Sequence, residues 1–196
     1  MMPMNLKDID AAAWEQLEEA ATEPNSGFRY LNFCSVDGQG SPQARIVVLR
    51  RADRLTRVIE FYTDMRSPKW LQISAHPRVT VVGYCKQTRL QLRLQGTVEL
   101  HASGSDLGEA RWNSLPYHTQ RTYLGGPPGD ELLFDAADGP VVPQSADDAR
   151  GKAHFGVILL QVRVLDWFQL RRDQNQRALL TYINQGTPAV AQWINP

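Results

Sequence analysis

The chain has 196 residues, with 21 Lys and Arg balanced against 21 Asp and Glu, and 42% of its residues are hydrophobic. That length fits one domain of about 100–200 residues. The balance excludes a disordered acidic chain and a protein that holds nucleic acid by bulk positive charge. Cys34 and Cys85 provide neither a disulfide framework nor metal-ligand spacing. No apolar run approaches the ~18 residues of a membrane span, and the start lacks the basic-then-apolar pattern of a secretory signal. The expectation is a soluble cytoplasmic protein with reduced thiols.

Residues 6–22 read as a helix, because Leu6, Ile9, Ala13, Leu17 and Ala20 recur at helical spacing and Pro24-Asn25-Ser26-Gly27 ends the run. Residues 28–36 and 43–50, joined across Asp37-Gly38-Gln39-Gly40, read as a β-hairpin. Residues 58–62 form a further strand. Ser67-Pro68-Lys69 opens a short helix, with Ser as N-cap and Pro at the first turn, and His76-Pro77 stops it. Residues 79–84 and 90–100 are strands. Residues 106–113 are helical, with Ser105 as the cap. Residues 124–152 hold Gly125, Gly126, Pro127, Pro128, Gly129, Gly139, Pro140, Pro143 and Gly151, and read as a loop between the main body and the C-terminal strands. Strands are expected at 155–167, around 168–171, and in a last segment ending at Trp193. Short connections demand antiparallel pairing, so the expected architecture is a single mainly β domain, a small antiparallel barrel with peripheral helices.

Three segments carry chemistry. In Phe61-Tyr62-Thr63-Asp64-Met65-Arg66-Ser67-Pro68-Lys69 a strand runs into a helix start that adds a hydroxyl and an ammonium to free N–H groups, a setting suited to phosphate. The plainer reading is an ordinary cap beside a solvated lysine. Arg45 and Arg50 flank the apolar Ile46-Val47-Val48-Leu49 at odd spacing, so a regular strand would send them to opposite faces, as ligand contacts or as charges that keep a strand end soluble. In Arg89-Leu90-Gln91-Leu92-Arg93-Leu94-Gln95-Gly96 the leucines share the core face. The Gln and Arg residues face the other way, as hydrogen-bond donors to a planar heterocycle or as a solvated face. Gly96 suggests a bulge or a close backbone approach. His76, His101, His118 and His154 show no ligand spacing, so no metal is expected. Trp14, Trp70, Trp112, Trp167 and Trp193 read as core or interface residues.

Taken together, Arg45-Ile46-Val47-Val48-Leu49-Arg50, Phe61-Tyr62-Thr63-Asp64…Ser67-Pro68-Lys69 and Gln91-Leu92-Arg93-Leu94-Gln95-Gly96 resemble, in order and spacing, the pyridoxamine 5′-phosphate oxidase-related family of FMN-binding split barrels. Fainter matches continue through Ser114-Leu115-Pro116…Thr119-Gln120 and Asp166-Trp167-Phe168-Gln169. The resemblance implies a split antiparallel β-barrel and a homodimer with FMN between the subunits. It implies that Arg45, Ser67 and Lys69 hold the FMN phosphate, that Val47, Val48, Tyr62 and Thr63 line the cofactor, and that Arg50 and Gln91 lie near the ring. Thr119, Gln120, Arg177 and either Phe168 or Trp167 would come from the second subunit.

Where the oxidases carry a Tyr and an Arg that contact the vitamin substrate, this chain has Arg111 and Leu115. Where they end in Arg-Leu-His-Asp-Arg, it has Gln174-Asn175-Gln176-Arg177, keeping only the final Arg. The cofactor half of the pattern is kept and the substrate half is largely replaced. The implied activity is an FMN-dependent oxidoreductase acting on a small molecule, with no catalytic residue assigned. The alternatives are a flavin-binding sensor without turnover, or a haem-binding relative on the same barrel.

Overall fold

The computed structural model describes residues 5–130, 149–183 and 190–196. The first helix, α1 (Leu6–Ala20), is capped by Asn5, whose side chain accepts from the Asp8 N–H at 2.9 Å. Ile9, Ala13, Trp14, Leu17 and Ala20 are fully buried along one stripe of α1. A buried polar knot fastens this helix to the barrel. Asp10 accepts from Arg57 at 2.7 Å and from the Tyr182 hydroxyl at 2.6 Å, and Tyr182 in turn accepts from the Trp14 indole at 3.0 Å. Each group in the knot has a partner, which is the condition for burying charge at tolerable cost.

The strands are β1 (Tyr30–Val36), β2 (Pro42–Val48), β3 (Arg51–Asp53), β4 (Val58–Asp64), β5 (Arg78–Cys85), β6 (Leu90–Ala102), β7 (Phe155–Gln169), β8 (Gln176–Thr181) and β9 (Val190–Ile194). All pair antiparallel, in the order β2-β1-β5-β6-β7-β4-β3, with β8 joining β7 and β9 joining β8. The split comes from β7. Its residues 155–161 pair with β4, and residues 164–169 leave that partner and pair with β8. Strand β6 runs along both halves, and its register slips at Gln95/Gly96, where Arg163 of β7 is left as the extra residue of a bulge. A Cβ at position 96 would collide with the Gln161 carbonyl, so the glycine permits the approach that bends the sheet. Leu31, Phe33, Phe61, Val81, Leu92, Leu94, Leu160, Leu165 and Leu180 fill the interior, with Phe33 and Phe61 edge to face at 5.7 Å.

Helices α2 (Pro68–Ala75), α3 (Asp106–Ser114), α4 (Tyr117–Gln120), a 3₁₀ turn (Arg121–Tyr123) and α5 (Ala149–His154) lie at the periphery. Ser105 caps α3 as expected, accepting from the Gly108 N–H at 3.1 Å.

The split antiparallel barrel expected from the sequence is the architecture found, with local corrections. The strand expected around 168–171 is the end of β7, which runs unbroken through Gln169. Strands β3 and β8 were not expected. Helix α5 occupies the end of the stretch read as a 124–152 loop, and residues 131–148 of that stretch lie outside the described residues. Strand β2 ends at Val48, so the alternation that would oppose Arg45 and Arg50 stops before Arg50.

Candidate cofactor site

Strand β4 ends by delivering Asp64 into a tight turn. Its carboxylate accepts from the Arg66 N–H at 2.8 Å and pairs with the Arg66 guanidinium at 2.7 Å. Ser67 occupies the N-cap position of α2, yet its hydroxyl does not cap: it donates back to the Asp64 carbonyl at 2.6 Å. The hydroxyl expected to cap the helix is turned toward β4 instead. There it stands 3.3 Å from the buried Thr63 hydroxyl. The Lys69 ammonium donates to Thr63 and, at 3.4 Å, to Ser67.

Arg45 reaches the same place from β2. Its guanidinium donates to the Ser35 hydroxyl at 2.6 Å and to Gln72 Oε1 at 2.8 Å, and Gln72 follows Lys69 by three residues on α2. Burial, then the charge of Arg45, lowers the Lys69 amine to about 8, while Asp64 pulls the other way. Burial likewise lowers Arg45. Two cations thus stand near each other, Lys69 on the Thr63 and Ser67 hydroxyls and Arg45 on Ser35 and Gln72, and the Asp64 carboxylate that acts on Lys69 is already paired to Arg66. This donor set fits a phosphate, and the FMN phosphate implied by the resemblance suits it. Ser35 and Gln72 were not singled out from the sequence. The signals were available: Gln72 at helical spacing from Lys69, and Ser35 two residues from Phe33, the partner of Arg45 in the hairpin.

Tyr62 lies on the opposite face of β4 from Thr63. The Arg50 guanidinium sits 5.5 Å from its ring centroid, and the Arg50 N–H donates to the Glu60 carbonyl at 2.9 Å. Glu60 is buried and bound bidentately by Arg111 of α3, at 2.6 and 3.1 Å. Burial, then Glu60, raises the Tyr62 phenol. Tyr62, Phe155, Trp112 and Tyr123 form a ring-edge cluster with centroids 5.2–5.8 Å apart. Burial pushes the Tyr123 phenol up to about 12. Beside this cluster, Thr119 is half-buried on α4 and Gln120 donates to the Trp112 carbonyl at 3.0 Å. Arg66 ties the segment down through the Gly125 carbonyl at 2.9 Å.

A third group lies in one cross-strand row: Gln91 opposite Phe168, and Phe168 opposite Arg177. Arg177 stacks 5.8 Å from the Phe168 centroid and, with Arg93, grips Asp166 at 2.8 and 2.6 Å. Burial works to raise the Asp166 carboxyl, but the two arginines prevail and hold it below its usual value. Trp167 turns into the core, so Phe168 is the residue available on this face.

Val47 is buried in the core, while Val48 faces away beside Tyr30. Register places Arg45 on the barrel-facing side of the sheet, and Gln91, Phe168 and Arg177 on the outward side. One chain therefore does not bring the phosphate group of residues and the Gln91 row together.

Residues 11–102 match the family model "Pyridoxamine 5'-phosphate oxidase, FMN-binding domain". The likeness to that family covers just under half of the chain. Over 200 residues the chain is 25% identical to the pyridoxine/pyridoxamine 5'-phosphate oxidase of Thermobifida fusca, covering 98% of this chain and 87% of that one. A shorter match, 35% identical over 85 residues, is to the Caulobacter vibrioides oxidase, and it spans 37% of that protein. Among solved structures, a pyridoxamine 5'-phosphate oxidase-related, FMN binding protein of Nostoc punctiforme aligns over 100% of both chains with a TM-score of 0.73 at 23% identity. PhzG of Burkholderia lata, in complex with tetrahydrophenazine-1-carboxylic acid, aligns over 98% of this chain and 94% of its own, again with a TM-score of 0.73, at 14% identity. The two structures share the oxidase-type split barrel with this chain.

Among the described residues no cluster of His, Cys, Asp and Glu is placed to hold a metal, and no helix is long and apolar enough to cross a membrane.

Proposed function

We propose that the protein binds FMN and exchanges electrons with a small-molecule substrate. The observation that carries this is Lys69 on the Thr63 and Ser67 hydroxyls with Arg45, on Ser35 and Gln72, close enough to act on its charge, a cationic cradle whose neighbouring Asp64 carboxylate is spent on Arg66. Bound FMN supplies hydride or electron exchange at its ring. The chain's own residues orient and polarise. Lys69 and Arg45 hold the phosphate, Thr63 donates along the cofactor, and Arg50 and Gln91 supply positive charge and an amide beside the ring, where negative charge develops on reduction.

The site is shared between two copies. Arg45 and the Gln91 row face opposite sides of one sheet, so a single cofactor touches both sets when a second copy presents its outward face. Register also puts Gln91 in the row of Phe168 and Arg177, so the same copy delivers all three. The outward face carries Tyr30, Ile46 and Tyr84, which are 60%, 69% and 47% exposed, as expected of a surface that a partner covers.

The curated relatives are oxidases of pyridoxine and pyridoxamine phosphates, but Arg111 and Leu115 replace their substrate contacts, so a different substrate is proposed here. The purified protein's visible spectrum tests the cofactor. Two flavin bands and a preference for FMN over riboflavin are expected. A Soret band, or equal titration by riboflavin and FMN, would overturn the reading. Photoreduction followed by candidate electron donors and acceptors separates an enzyme from a flavin-binding sensor.

A further inference from the structure

Beside Tyr62, the cations are unequal. Arg111 is spent: its guanidinium is forked onto Glu60, whose side chain is 3% exposed, through both Nε and Nη2. An arriving anion meets a closed neutral pair there, with a carboxylate directly behind the guanidinium. Arg50 is different. Among the described residues its guanidinium meets the Tyr62 ring and no carboxylate. Its backbone N–H is bonded to the carbonyl of Glu60, so the charged groups of this corner are held close together. Two guanidiniums and one carboxylate leave one net positive charge. The cavity of about 370 Å³ that continues from the pair is net negative, with Asp53 and Glu99 against Arg51, so it gives a dianion no second cation and leaves Arg50 as the positive group of this corner.

We infer that the substrate side of this site is built for a planar monoanion, a carboxylate seated on Arg50, and that Glu60 is the specificity-determining residue that turns away a phosphate dianion by occupying Arg111. The inference rests on the proposed position of Arg50 beside the flavin ring. A dianion brought to Arg50 has one free cation to face and the Glu60 carboxylate nearby to repel it, whereas a carboxylate is balanced by Arg50 alone. The pair also fixes Arg111 in place, so it cannot swing to a ligand without leaving Glu60 buried and unpaired.

The test uses two aromatic probes that differ chiefly in the charge of one group. Benzoate carries one negative charge, and phenyl phosphate carries nearly two at pH 8, since the second phosphate pKa is about 6. Each is titrated calorimetrically into the protein as purified and supplemented with FMN, and the flavin absorbance of the same sample is recorded. The wild type binds benzoate about tenfold tighter than phenyl phosphate, and Arg50→Ala weakens both by about tenfold or more, the worth of one charge-assisted contact. Glu60→Gln frees Arg111 and removes the preference for benzoate, and the double variant Glu60→Gln with Arg111→Gln restores it. If Glu60→Gln does not fold, Glu60→Asp takes its place: the shorter carboxylate loosens its fork on Arg111 and should shrink the preference for benzoate. An undiminished preference overturns the role of Glu60, and the wild-type preference with Arg50→Ala decides the seat on Arg50. Phenyl phosphate bound as well as or better than benzoate, binding of neither probe, or an Arg50→Ala variant that holds both as before overturns the inference. A flavin-loaded sample giving any of these results sinks this inference alone. A protein that takes up no FMN sinks the cofactor reading beneath it.

Discussion

Lys69 carries its ammonium into a half-buried site whose acceptors are the Thr63 and Ser67 hydroxyls, beside the guanidinium of Arg45. Lys69→Ala and Arg45→Ala should each weaken FMN binding about ten- to a hundredfold, since a charge-assisted bond to phosphate is worth about 1.5–3 kcal/mol. Fluorescence titration checks this, and unchanged affinity in both variants removes the phosphate assignment. The lysine also predicts a pH dependence. In the free protein its amine titrates near 8, and a bound phosphate favours the charged form and raises that value. Affinity should therefore be full below about pH 8 and fall by up to about tenfold per pH unit above it, until the bound-state pKa is reached. A flat profile between pH 7 and 9.5 would contradict this. The sign for folding is opposite: because the folded-state pKa lies below the unfolded one, the free protein gains stability as pH rises from about 8 toward 10.5. At this scale Arg45, Ser67 and Lys69 were legible as residue types in a pattern. Which way a hydroxyl turns was not. Ser67 reads as a cap in any sequence, and only the nearby Asp64 carbonyl and Lys69 redirect it. The Glu60–Arg111 pair spans 51 residues, a separation at which no local pattern operates.

The two long strands β6 and β7 do most of the positioning, and their irregularities are functional. The bulge at Gly96 lets β6 bend against β7, so Gly96→Ala should lower the melting temperature through a loss of about 1–3 kcal/mol as the methyl meets the Gln161 carbonyl. An unchanged melting temperature would mean the backbone can yield there. The alternation of Gln91, Arg93 and Gln95 against Leu90, Leu92 and Leu94 made β6 readable, and Gly96 marked its bulge. Strand β8 was missed because the Arg171-Arg172-Asp173-Gln174-Asn175 turn before it is polar and gives no hydrophobic period. Its place is set by pairing with β7. That pairing brings Arg177 to Asp166, and Arg93 joins from β6. Asp166 has a folded pKa below its unfolded value, so its contribution is present above about pH 3.8 and is lost as pH falls through the lower folded value. Asp166→Asn should flatten the acid limb of the stability curve and lower FMN affinity by releasing Arg177 from its stacked position over Phe168. A variant with the wild-type acid limb would show that the three-strand pair contributes nothing to stability.

In the whole molecule, the sheet has two faces with different duties. The barrel side is closed by Phe33, Phe61 and Leu92, with the Lys69 cradle at its margin. The outward side leaves Tyr30, Ile46 and Tyr84 uncovered in the same expanse as Gln91, Phe168 and Arg177. Large apolar side chains interleaved with arginines are the composition of an interface core rather than of a solvated sheet, and a two-fold dimer is the commonest way to cover such a face. The expected state is a homodimer with two FMN sites, each drawing its phosphate cradle from one copy and its Gln91 row from the other. Ile46→Asp buries a charge in that interface and should yield a monomer with much weakened FMN binding, although Ile46 is far too exposed in the single chain for the change to disturb its core. Because cofactor and partner share the site, FMN at a hundredfold over its Kd should stabilise the wild-type dimer by about 2.7 kcal/mol for each of its sites, and the monomeric variant by far less. Sedimentation of both proteins at micromolar concentration, with and without FMN, decides the point. A wild type that remains a single chain while holding flavin at full strength would end the shared-site reading, and with it the cofactor roles of Gln91, Thr119, Gln120, Phe168 and Arg177.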